Sequence, residues 1–145
     1  MIKDIVKSGF NLEIKVKGSS MSPFLKNGDK VSVKSKERYS VGDIVLVNVD
    51  MPLLGKSQTH CHRIIFKYRK KYLIKGDNQA WKDGFYTSKE IIGFVYRRNG
   101  KIMKNYFKKI ISIISLKEYL IMRLTSGSRS KLLLLLKRFI YTSPL

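Results

Sequence analysis

Along residues 12–103 the hydrophobic and polar positions alternate in short bursts, the pattern of half-buried strands. Leu12-Glu13-Ile14-Lys15-Val16-Lys17 alternates apolar and charged residues, and Lys30-Val31-Ser32-Val33-Lys34 repeats the pattern. Ile44–Val49 is instead an apolar run, as expected of a strand covered on both faces. Ile64–Tyr68, Tyr72–Lys75 and Ile91–Tyr96 are further strand candidates. Turn formers separate them: Asn27-Gly28-Asp29, Val41-Gly42-Asp43, Lys75-Gly76-Asp77-Asn78 and Asp83-Gly84. Asn99-Gly100 between two apolar stretches reads as a two-residue hairpin. Short strands at this spacing predict a mainly β fold, a rolled antiparallel β domain.

The pattern changes after about Met103. Tyr106–Leu124 and Lys131–Tyr141 are rich in Ile, Leu and Lys without internal Gly or Pro, so both read as helices, with Ser126-Gly127-Ser128 as the break. The expected organisation is a β domain over 1–103 and a basic helical tail over 104–145.

Charge adds a second layer. The chain has 145 residues, with 30 Lys and Arg against 10 Asp and Glu, a formal net charge of +20. Such a field admits nucleic acid, anionic lipid and acidic peptides as partners without choosing among them. The single cysteine, Cys61, rules out an intrachain disulfide. No apolar run is long enough for a signal peptide or a membrane span. The expectation is a chain kept in the cytoplasm, peripheral at the inner face of the membrane if its tail binds there.

Three stretches carry candidate chemistry. In Gly18-Ser19-Ser20-Met21-Ser22-Pro23, a serine held between Gly and Pro at a strand end can present its hydroxyl in a fixed direction. A serine becomes a nucleophile only beside a base and an oxyanion stabiliser; the same residues also suit an ordinary turn. His60-Cys61-His62-Arg63 invites a metal, yet the sequence has no second cluster to complete four ligands, so no metal and no cofactor are expected. Lys75-Gly76-Asp77-Asn78, followed by Asp83, suits a turn whose side chains cap local backbone groups.

Taken together and in order, these stretches resemble the type I signal peptidase family over roughly residues 10–98. The serine box corresponds to Gly18–Pro23 followed by Gly28-Asp29, and Val41-Gly42-Asp43-Ile44-Val45 corresponds to the family's Gly-Asp strand start. The family's general base directly precedes an arginine. It is His in the endoplasmic-reticulum and archaeal-like branch, and here it falls on His62. The resemblance implies a serine endopeptidase that removes leader or signal segments from precursor peptides, with Ser20 as nucleophile, His62 as base and Asp83 as the acid. Asp77 is the competing acid, and Met21 and Pro23 belong to the structural and substrate-binding surroundings. Family members often carry a second serine two residues before the nucleophile; this chain has Gly18 there. The related self-cleaving repressors use a Lys base, and the histidine here departs from them.

Two rival readings follow from other features. Aromatics among lysines, such as Tyr68, Tyr72 and Trp81, could stack on bases in a basic β domain, although no nucleic-acid motif is present and no specific nucleic acid is expected. A catalytically silent peptide-binding relative is the other. The tail, with Ile110–Ile114 and Leu132–Leu136 among lysines, suits core packing or an anionic membrane surface.

Overall fold

The structure is a computed structural model that describes residues 2–51, 56–79, 82–104 and 108–124. Among these, two helices flank eight strands: α1 (Ile2–Lys7), β1 (Leu12–Lys15), β2 (Lys30–Lys34), β3 (Ile44–Met51), β4 (Lys56–Tyr68), β5 (Lys71–Lys75), β6 (Lys82–Thr87), β7 (Ile91–Arg98), β8 (Lys101–Ile102) and α2 (Lys108–Leu124). All strand pairs are antiparallel, in the order β1-β2-β7-β3-β4-β5-β6, with β8 on β7. The protein is a mainly β fold, an antiparallel sheet curled into a half-barrel with a C-terminal helix. Register shifts between Ser32 and Val33, Leu46 and Val47, and Ile64 and Phe66 mark irregularities of the kind that sharpen local twist.

The alternation in the sequence maps onto two apolar clusters. Ile44 and Leu46 join Val6, Met21, Leu25, Val31, Val33, Ile92 and Val95 in one; Val45 and Val47 join Tyr39, Ile64, Tyr72, Ile74 and Ile91 in the other. Strand β3 is thus covered on both faces, which is why its sequence runs apolar. Each fully buried aliphatic side chain of this kind contributes about 1.5–3 kcal/mol. The Asn99-Gly100 turn forms the expected hairpin, with Asn99 at φ 47° and Gly100 at φ 78°; both residues occupy the left-handed region that such a turn demands.

Three features depart from the sequence expectation. Helix α1 was not anticipated; its six residues are too few for a helical period to register, yet its Val6 is fully buried. Asp83-Gly84, read as turn formers, lie inside β6, where Gly84 pairs with Ile74. Tyr72 is 5% exposed and packs edge-on against Tyr39 at 6.0 Å, so it is a core residue rather than a stacking platform. Trp81, Tyr106 and the expected helix Lys131–Tyr141 lie outside the described residues.

Helix α2 lies against the sheet. Tyr119 and Leu116 pack with Ile65 of β4 and Leu73 of β5, and Ser112 Oγ donates to the Ile64 carbonyl at 3.3 Å. Lys75 and Glu118, each 0–1% exposed, form an ion pair at 3.1 Å across this interface. Among the described residues no helix is long and apolar enough to cross a membrane.

Candidate active site

The curl brings the two ends of the strand order together. Ser20 lies just past β1, at one edge of the sheet, and Asp83 sits on β6 at the other. His62, on β4 between them, joins the two. Its Nε2 lies 2.8 Å from Ser20 Oγ, and its Nδ1 is in hydrogen-bond contact with Asp83 Oδ2. Because a carboxylate can only accept, Nδ1–H donates to Asp83, and Nε2 is left to accept from the serine hydroxyl. His62 is 2% exposed, while the Asp83 side chain is 10% exposed.

The serine is held by backbone contacts to the Gly76-Asp77-Asn78 turn. The Asn78 N–H donates to the Ser20 carbonyl at 2.7 Å, and the Asn78 amide donates to the Ser19 carbonyl at 3.2 Å. A Cβ on Gly76 would lie 2.9 Å from the Ser20 carbonyl oxygen and 2.7 Å from Gln79 Oε1, so only glycine lets the turn come this close. Upstream, Gly18 takes φ 84° and its N–H donates to Asn27 Oδ1 at 3.1 Å. Downstream, the Ser22–Pro23 bond is cis. Met21 is 2% exposed, and its sulfur accepts from the Asp77 N–H at 3.4 Å.

Strand alternation sends the neighbour of His62 elsewhere. Arg63 is fully buried and grips Asp77 with two parallel bonds, Nε to Oδ1 and Nη2 to Oδ2, both 2.8 Å. Its Nη1 donates to the Gly42 carbonyl at 2.8 Å, and its guanidinium lies 4.7 Å from the Phe24 ring centre. One side chain therefore ties together the turn behind the serine, the Gly42 turn and the serine loop itself. Of the two aspartates left open by the sequence, Asp83 meets the histidine and Asp77 meets the arginine.

A cleft of about 550 Å³ opens beside Ser20 and His62, lined among others by Leu12, Ile14, Val16 and Leu46. It borders β1, which among the described residues pairs with β2 alone. Val16 exchanges backbone bonds with the β2 side, accepting from Gly28 and donating to Asp29. By alternation, the backbone groups of Glu13 and Lys15 face away from β2, toward the open edge. Cys61 lines the same cleft, and burial pushes its thiol pKa up to about 12. It therefore stays protonated at neutral pH and is a poor nucleophile.

Two contacts in and around this site have little or no local signal in the sequence. Lys75 and Glu118 were not paired, because 43 residues separate them and nothing local signals the contact. His60 had no role beyond the stretch that invites a metal, yet its ring lies 5.1 Å from that of His62; their i, i+2 spacing on one strand was the available signal.

Comparison with known proteins gives a family for the chain. The family model described as Peptidase S24-like matches residues 3–96, more than half of the chain and the span that holds Ser20, His62 and Asp83. That match supports a serine-peptidase type of function. No curated protein and no solved structure matches the chain.

Proposed function

The chain belongs to the Peptidase S24-like family, and from that premise we propose that it is a serine endopeptidase of the signal-peptidase type, cutting a leader segment from a precursor peptide. The observation that carries the reading is the chain of contacts from Ser20 Oγ through His62 to Asp83. In the first step Ser20 Oγ attacks the scissile carbonyl carbon as its proton passes to His62 Nε2. Asp83 stabilises the imidazolium that results and keeps the ring in register. His62 then gives the proton to the leaving amine, and the acyl group stays on Ser20. Water enters, loses a proton to His62 and releases the acyl group, restoring the serine. The backbone N–H of Ser20 is the proposed donor to the oxyanion, with the Ser19 hydroxyl as candidate second donor in place of the serine that Gly18 replaces.

The substrate enters as an added strand on the open edge of β1, bonding to the backbone of Glu13 and Lys15. Apolar side chains next to the cut enter the cleft formed by Ile14, Val16 and Leu46. The histidine base, directly before Arg63, favours the branch of signal peptidases that uses His in place of Lys.

We also infer an anionic membrane surface as a peripheral partner. The outward face of α2 exposes Ile110, Ile113, Leu120 and Leu124, and residues 101–145 hold 10 of the 30 basic residues against one acid. Sedimentation with anionic vesicles, absent with neutral ones and lost at high salt, is the expected behaviour.

A serine-directed phosphonate tests the central claim. It should label Ser20 alone, as mapped by peptide mass spectrometry, and Ser20→Ala should be unlabelled and inactive while melting like the wild type. Cleavage by Ser20→Ala, or labelling elsewhere, would refute the assignment.

A further inference from the structure

One group in the site has no task in the serine mechanism. His60 stands two residues before His62 on β4, with the rings inclined at 70°. Its Nδ1 is enclosed and, among the described residues, has no hydrogen-bond partner. His60, His62 and Asp83 each offer a ligand atom, and these atoms lie within 4.8 Å of one another. Bonds of about 2.0–2.2 Å around a tetrahedral zinc ion place ligand atoms roughly 3.4 Å apart, so closing the set takes side-chain shifts on the order of 1 Å. His60 and Asp83 are both only partly buried, which leaves room for that shift and a path for an ion from the cleft.

The donor set narrows the ligand. Two imidazoles and one carboxylate suit a borderline divalent cation, zinc above all, and leave a fourth position for water. Calcium and magnesium, which need many oxygen ligands, do not fit. We propose that His60, His62 and Asp83 form an inhibitory site for a zinc-type cation, placed over the catalytic dyad. The inhibitory part rests on the peptidase reading above; the cation site itself does not.

The inhibition follows from the lone pairs of one ring. A neutral imidazole has a single basic nitrogen. If the cation takes His62 Nε2, the lone pair that should receive the serine proton is occupied. If it takes Nδ1, the ring proton moves to Nε2, which then donates and cannot accept. In both cases Asp83 is drawn to the cation and away from its role beside the ring. Binding therefore silences Ser20 without touching it, and removing the cation restores the base.

The test uses tag-free full-length protein, freed of metal with a chelator. Calorimetry with zinc sulfate, and the visible absorption of cobalt(II) as a tetrahedral probe, read binding directly and need no turnover. Ser20→Ala should bind one zinc per chain as the wild type does. His60→Gln, checked for an unchanged melting temperature, should weaken binding by at least about tenfold, the loss that even supporting residues around a metal typically bring. His60→Ala provides a second variant if the glutamine finds a new partner. Turnover by the wild type should fall over the same zinc concentrations and return with chelator, each variant being compared with its own metal-free rate. Absence of stoichiometric binding, or binding unchanged in both His60 variants, would overturn the site. Zinc that raises the turnover of metal-free enzyme would overturn its inhibitory role. Zinc binding that depends on His60 in a protein with no measurable turnover would support the site and count against the peptidase reading alone.

Discussion

His62 and Arg63 are neighbours in the chain, and each holds an aspartate, yet the two pairs sit in opposite surroundings. Arg63 and Asp77 are both buried, locked by two parallel bonds, with a further bond to Gly42 and the ring of Phe24 alongside. A charge pair in that setting contributes to shape: it is costly to desolvate, and costlier still to break. His62 and Asp83 sit beside the cleft, where Ser20 closes the chain of contacts. A pair in that setting can exchange a proton with something that arrives. Because successive residues of a strand face opposite ways, one dipeptide can serve both the scaffold and the proposed chemistry. The difference between the two aspartates is one of address, since their chemistry is the same.

The sharpest way to break this comparison is to give both aspartates the same isosteric change. Asp83→Asn should slow cleavage by about 10⁴-fold, the loss seen when a serine triad keeps its shape but loses the carboxylate. Its melting temperature should stay close to that of the wild type. Asp77→Asn should do the reverse: a loss of roughly 3–5 kcal/mol in denaturant unfolding, because Arg63 stays buried without its counter-charge. Whatever Asp77→Asn protein remains folded should retain much of its rate per active site. Titrating active sites with a phosphonate while measuring rate and stability separates the two. If Asp77→Asn abolishes the rate of folded protein and Asp83→Asn only lowers stability, the roles are exchanged.

That contrast also shows what the sequence could and could not reveal. Alternation in β1 and β2, the apolar run of β3 and the Asn99-Gly100 turn each follow from a local rule, so they were legible. The order of the strands was not, because pairing β2 with β7 joins residues 60 to 67 positions apart through no local signal. Ser20, His62 and Asp83 were named through resemblance to a known set of motifs; locally the serine and Gly-Asp-Asn stretches also suit an ordinary turn, and the histidine stretch invites a metal. Which aspartate faces the histidine depended on the turn at Gly76 and the register of β6, and these are set by tertiary packing. Asp83 itself was misread locally, since Asp-Gly is a turn signal that the sheet overrides. The burial of Tyr72 and the pairing of Lys75 with Glu118 likewise depend on what the curl and α2 cover.

The Lys75–Glu118 pair offers a third case between the first two. It is as buried as Arg63–Asp77, but it joins the sheet to α2, and Lys75 directly precedes the turn that holds the serine. Glu118→Gln should cost about 3 kcal/mol, the lower end for breaking a buried pair. Lys75 keeps a bond to the Gly76 carbonyl, and an ammonium can shed its charge where a guanidinium cannot. If α2 were an independent appendage, the variant would melt like the wild type. Hydrogen exchange should show the loss over both α2 and β5, and loss over α2 alone would mean that the pair does not couple them.

The smallest expected effect belongs to Asn78, and it tests how the serine is held. Two bonds run from this residue to the serine loop: a backbone N–H to the Ser20 carbonyl at 2.7 Å, and a side-chain amide to the Ser19 carbonyl at 3.2 Å. The first is independent of residue type, and the second is longer and lies where water can replace it. Asn78→Ala removes only the second, so the expected cost is about 1 kcal/mol of stability. The rate should fall by no more than about tenfold, since 1.4 kcal/mol of lost positioning corresponds to that factor. Gly76→Ala is the matching control, because its added Cβ would press on the Ser20 carbonyl and move Ser20 itself. The rate should therefore fall further in Gly76→Ala than in Asn78→Ala, even at equal stability. Equal or reversed rates would mean that the side chain of Asn78, rather than the close approach of the turn backbone, sets the position of Ser20.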